Sequence, residues 1–100
     1  MKMYILVKED IPLGFAMVAA AHASLAAYLK FKDNKEMIEW SSGIFYKTIC
    51  KVNDSEFENA KLIENNVVLT ESALIGKEVA IAFCPREEYP KMFKFFRLFR

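Results

Sequence analysis

The sequence predicts a layered α/β domain, and three observations predict it. Apolar runs of strand length recur along the chain, at residues 3–7, 44–52, 67–69 and 78–84. Between the first two lies a stretch of nineteen residues, 11–29, with no formal charge when His22 is neutral, which is long enough for a helix of several turns. Further on, Asn53…Glu56 and Ser55…Glu58 both have the spacing of a capping box, a signature of a helix start. Helices interleaved with strands argue for packing on a sheet. No linker or repeat divides the hundred residues, so residues 1–100 read as a single domain.

Taken in order, residues 3–7 hold the β-formers Tyr4, Ile5 and Val7 and read as a buried strand. Asp10 is placed to cap a helix over residues 13–31, and Pro12 is tolerated in its first turn. Asp33 and Asn34 break that helix, residues 35–40 form a short second one, and Ser41-Ser42-Gly43 turn the chain. Residues 44–52 alternate as a strand. The capped helix that follows turns Phe57, Ala60 and Leu62 inward. A short strand at 67–69, a loop over 70–76 and a buried strand at 78–84 come next, closed by Pro85. Residues 91–100 read as a final helix. At about 100° per residue its apolar side carries Met92, Phe95, Phe96, Leu98 and Phe99, and its other side Lys91, Lys94, Arg97 and Arg100.

Composition excludes several classes. With 54% hydrophobic residues, 27% charged, three Gly and three Pro, the chain is neither disordered nor fibrous. Fourteen basic against thirteen acidic residues, a net +1, exclude a polybasic nucleic-acid binder. The segment from Arg86 onward still carries five basic and two acidic residues. Cys50 and Cys84 each sit within an apolar run, and with one histidine they make no zinc set. Both are expected to be reduced core thiols, as in an intracellular protein. Charges at Lys8, Glu9 and Asp10 end the first apolar run too early for a secretory signal. Residues 11–29 reach the length of a membrane span, but seven of them are Ala, and Pro12, Gly14, His22 and Ser24 dilute the segment further. The expectation is a helix apolar all round and buried between protein layers, with no membrane, metal or cofactor partner.

His22, in the middle of the alanine-rich segment, suits general acid/base work or substrate orientation; it equally suits a hydrogen bond to a neighbouring loop. Gly14, Gly43 and Gly76 are too scattered for a phosphate loop. The basic tail reads as a solvated face, as an RNA contact through Lys91, Lys94, Arg97 and Arg100, or, through its Phe side, as a dimer surface.

Four segments occur in a telling order: Leu6-Val7-Lys8-Glu9-Asp10, then Gly14 followed by Ala19-Ala20-Ala21-His22-Ala23, then Leu69-Thr70-Glu71-Ser72 leading to Gly76-Lys77 and Pro85, and last the tail from Lys91, read as a closing helix. In this order the chain resembles the type II peptidyl-tRNA hydrolase family. The resemblance implies a single three-layer domain, a four-stranded mixed sheet with helices on both faces. It also implies a cytoplasmic homodimer that cleaves the ester between peptide and tRNA without metal or cofactor. A Lys at the helix start, an Asp and Thr residues near the last strands are the groups associated with the family's activity. Counting back from His22 puts the Lys position on Phe15 and a Gln position on Ala19. Counting back from Pro85 puts the Asp on Val67 and the Thr on Glu71, or on Thr70 with one gap. The groups left for catalysis are His22, Thr70 and Glu71, with Lys8 or Lys77 as replacement cations. The alternatives are a catalytically lapsed homodimeric module binding tRNA, a nucleotide or a small ligand, and a structural homodimer joined by its aromatic tail.

Overall fold

A computed structural model describes residues 1–100. The elements are β1 (Met3–Lys8), α1 (Leu13–Phe31), α2 (Lys35–Ser41), β2 (Lys47–Val52), α3 (Asp54–Ala60), β3 (Asn66–Glu71), β4 (Lys77–Phe83) and β5 (Arg97–Leu98), with 3₁₀ turns at Ser72–Leu74 and Lys91–Phe95. The strands form one mixed sheet in the order β3-β4-β1-β2-β5. β1 is central, parallel to β2 with Ile5 opposite Ile49, and antiparallel to β4 with Ile5 opposite Ala82. A parallel pair needs a crossover, and α1 with α2 supply it.

Alternation along β1 divides the core. Ile5 and Val7 pack on one face with Ala19, Ala23 and Ala27 of α1 and Met37 of α2. Tyr4 and Leu6 pack on the other with Phe57 of α3, Phe83, Phe93 and Phe96. Three layers with helices on both faces therefore match the expectation. Cys50 and Cys84 are buried and unpaired. Burial pushes both thiols up, which keeps them protonated and unreactive at neutral pH.

Four expectations are corrected. The tail is not one helix over residues 91–100 but a 3₁₀ turn, Lys91–Phe95, followed by a short strand, and the sheet has five strands instead of four: Arg97 lies opposite Lys51 and Leu98 opposite Cys50. Phe99 N–H donates to the Ile49 carbonyl at 2.9 Å. The edge of β2 offers the tail backbone partners, and a 3₁₀ turn leading into that strand buries Phe93 and Phe96 while leaving Phe95 72% exposed.

Second, α1 is buried on its alanine face alone. Leu13, Met17, Leu25 and Leu29 are each more than half exposed, because nothing in the chain covers that side. α1 is long and apolar enough to cross a membrane, yet its small residues seat it closely on the sheet. Third, Asp10 does not cap α1. Pro12 occupies the cap position and no side chain caps the helix, because Asp10 is paired elsewhere.

Fourth, α3 stops at Ala60, so Leu62 faces solvent at 83% exposure. Asn66 Nδ2 donates to the carbonyls of Lys61 and Ile63 and ends the helical path there. The capping box itself is formed: Asn53 Oδ1 accepts from Glu56 N–H, and Glu56 Oε1 accepts from Asn53 N–H, both at 2.8 Å.

Candidate active site at the carboxyl end of the sheet

β1, β2 and β3 run in the same direction, since β4 is antiparallel to both β1 and β3. Their carboxyl ends meet at one margin of the sheet, where α/β folds place their ligand sites. The last residue of β1 and the two after it each reach a different element. Lys8 Nζ pairs with Asp54 at 3.4 Å, Glu9 with Arg97 at 2.6 Å, and Asp10 with Lys77 at 2.8 Å. β1 thus ties the starts of α3, β5 and β4 to this margin.

Lys77 also lies directly across the ladder from Glu71, so Asp10, Lys77 and Glu71 form a row, while Thr70, opposite Glu78, presents its side chain on the other face of the sheet. The hydrogen bond from Lys77 holds the Asp10 carboxyl below the usual carboxylate range, although partial desolvation opposes it. The Asp10 carboxylate is therefore charged where it meets Lys77 Nζ. Both are half-exposed, so the pair adds little to stability; its consequence is the fixed position of the ammonium.

The turn before Lys77 is constrained. Ile75 and Gly76 take successive left-handed conformations, φ 57° and 71°. Glycine accepts that region freely, but a β-branched side chain is strained there by about 1–3 kcal/mol. Gly76 N–H donates to the Glu71 carbonyl at 3.0 Å, and Ala73 N–H donates to Glu71 Oε2 at 3.2 Å. One carboxylate oxygen of Glu71 is engaged in the turn, which fixes the side chain and leaves the other for a reacting group.

The remaining sequence-derived candidates are placed as follows. Thr70 is exposed and next to Glu71 in the chain, with its side chain on the opposite face of β3. His22 is exposed near the middle of α1, about 14 Å along the axis from the helix start. No hydrogen bond joins it to Thr70 or Glu71. Phe15, at the position counted for the Lys, is half-buried. Val67 lies inside β3 opposite Ala82, four residues short of the acid that ends the strand.

The tail cations separate. Lys91 and Lys94 share a cavity of about 500 Å³ with Lys2, Glu87 and Glu88. Arg97 is held by Glu9, and the Arg100 carbonyl accepts from Lys51 Nζ at 3.0 Å. Sequence reasoning missed the Asp10–Lys77 pair and the place of Lys2. The partners are 67 and about ninety positions apart, beyond what spacing reveals, although three adjacent charges closing a strand were a local sign of a binding end. No group of three or more His, Cys, Asp or Glu gathers at metal-ligand distance.

No curated protein matches the chain. The family model for Peptidyl-tRNA hydrolase PTH2 matches residues 1–74, from β1 through Thr70 and Glu71 to the turn before Lys77. With nearly three quarters of its length so matched, and with the α/β layers that the match entails, the chain belongs to the peptidyl-tRNA hydrolase PTH2 family.

Proposed function

We propose that the protein hydrolyses the ester of peptidyl- or aminoacyl-tRNA at the carboxyl margin of the sheet, using Lys77, Glu71 and Thr70. The observation that carries this reading is the Lys77 ammonium, held at 2.8 Å by Asp10 and set across the ladder from Glu71. Lys77 comes from a strand and stands in for the ammonium that Phe15 cannot supply at the helix start. In the reaction Glu71 takes a proton from water, while Thr70, on the other face at the strand end, contacts the substrate. The oxygen attacks the ester carbonyl, and Lys77 stabilises the negative charge on the carbonyl oxygen. The carbon–oxygen bond to the ribose breaks, the proton from Glu71 passes to the ribose oxygen, and a free peptide acid and tRNA leave.

Lys91, Lys94, Arg97 and Arg100, joined by Lys2, are proposed to contact tRNA phosphates. His22 is proposed to position substrate instead of reacting with the ester. The exposed face of α1 is proposed to meet a second copy of the chain. It bears no formal charge from Leu13 to Leu29, so two copies approach there without repulsion.

Deacylation of N-acetyl-aminoacyl-tRNA tests the reading. Lys77→Met is expected to lower kcat by about 10²–10³, the usual cost of losing an oxyanion donor. His22→Ala and the double change Lys91→Ala with Lys94→Ala should raise KM with kcat kept. A wild-type protein without deacylase activity that still retains tRNA would favour the catalytically lapsed binding module.

A further inference from the structure

β3 is an open edge of the sheet, whereas β5 covers the edge of β2 on the other side. Hydrogen bonding along β3 alternates. Cys84 N–H donates to the Asn65 carbonyl at 2.9 Å, and the register sets Val67 opposite Ala82 and Leu69 opposite Ala80. In an antiparallel ladder the bonded pairs are every second residue. The register shifts between Leu69 and Thr70, and beyond it the Glu71 carbonyl again turns inward to accept from Gly76 N–H. Asn65, Val67, Leu69 and Glu71 thus face β4, while Asn66, Val68 and Thr70 turn their N–H and C=O groups outward.

Lys30 of α1 covers the first of these, donating from Nζ to the Asn66 carbonyl at 2.7 Å. Proteins commonly blunt an edge with Lys, Pro or a covering segment. Here the blunting stops at Asn66. From Val67 to Thr70 there is no charge and no proline, and no hydrogen bond from elsewhere in the chain reaches Val68 or Thr70.

A row of outward donors and acceptors in strand spacing fits one chemistry, another extended backbone. We infer that β3 seats the peptide part of the substrate as an added strand on Val68 and Thr70. The inference rests on the ester-hydrolase reading for where that peptide ends. Its esterified carboxyl end must lie beside Glu71 and Lys77, so the peptide runs parallel to β3. In that register Val68 N–H donates to one peptide carbonyl, and the Val68 carbonyl accepts from the N–H two residues further on. Recognition through the main chain is indifferent to side-chain sequence, as a hydrolase of mixed peptides requires. At about 3.3 Å per residue, the open stretch from Val68 to Thr70 seats about three peptide residues.

The first test uses no ester. The capped peptide acetyl-tetraalanine amide is added at millimolar concentration to ¹⁵N-labelled protein. The Val68 and Thr70 amide signals should shift and their hydrogen exchange should slow, and the same peptide N-methylated at alternate residues should do neither. An unresponsive Val68 and Thr70 overturns the inference even where deacylation is intact. Protection of these amides without peptide, in a dimeric protein, overturns it in favour of a second copy at this edge. Shifts with the peptide but no deacylation leave β3 a peptide site and defeat only the ester reading. The second test compares acetylated aminoacyl-, dipeptidyl- and tripeptidyl-tRNA. kcat/KM should rise about tenfold to a length of three and then level off. An active enzyme whose kcat/KM is independent of peptide length overturns the inference.

Discussion

Asp10 is the residue where sequence and structure part most usefully. As a helix cap it is reasonable chemistry, since an acid ahead of Pro12 and a long helix has free amides to accept from. The ammonium of Lys77 takes it instead, and that competition depends on folding the two ends of the chain together. The pair has a pH signature. Lys77 lowers the carboxyl in the folded state, so the stability it contributes is present above the ordinary carboxylate pKa of the unfolded chain and is lost as pH falls through the lower folded value. Titration by carboxyl ¹³C NMR should find Asp10 below the ordinary carboxylate range. In Lys77→Met it should return to the ordinary range, with less than about 1 kcal/mol of stability lost at neutral pH because the pair is half-exposed. An Asp10 titration unaffected by the substitution would remove the ion pair, and with it the argument that Lys77 is fixed at the site.

At the scale of elements, legibility follows the range of the forces involved. The start of α3 was readable because both halves of its capping box lie within four residues. α1 was readable in its limits, Leu13–Phe31, from uncharged length and its breakers, but not in which face is covered. The candidate site was half readable. Thr70 and Glu71 come from the family pattern and Lys77 is one of two replacement cations in the sequence, whereas only the fold separates it from Lys8, which pairs with Asp54. The tail departs from its helix reading because Met92, Phe95, Phe96, Leu98 and Phe99 fit a helix as well as a partly extended path, and the deciding partner is β2, more than forty residues earlier. This yields a clean contrast between two adjacent residues. Phe96→Glu puts a carboxylate into the core beside Phe93 and should destabilise by about 3–5 kcal/mol. Phe95→Glu, on the exposed side, should stay within about 0.5 kcal/mol. Thermal melts of the two variants measure this, and equal losses would contradict the extended tail.

For the whole molecule, the Cα radius of gyration is 12.7 Å, close to the roughly 13 Å of a compact hundred-residue chain. No part of the chain folds back over the outer side of α1, and Leu13, Met17, Leu25 and Leu29 remain uncovered there. A contiguous apolar surface of this kind marks an interaction site, and a two-fold contact between identical faces satisfies it most simply. Sedimentation equilibrium is expected to give a dimer for the wild type. Leu25→Glu should give a folded monomer, and Phe95→Glu should leave the dimer intact. A monomeric wild type would refute this assembly. Dissociation by Phe95→Glu would move the interface to the tail.

The two cysteines lie in opposite halves of the core, Cys84 with the α1 layer and Cys50 with the α3 layer, so the sheet stands between them. Neither sulfur meets the other, or an alkylating reagent, while that partition is intact. Paired labelling of both, or an internal cross-link, therefore dates from a moment when the chain was open, and the thiols serve as a tamper seal on the folded state.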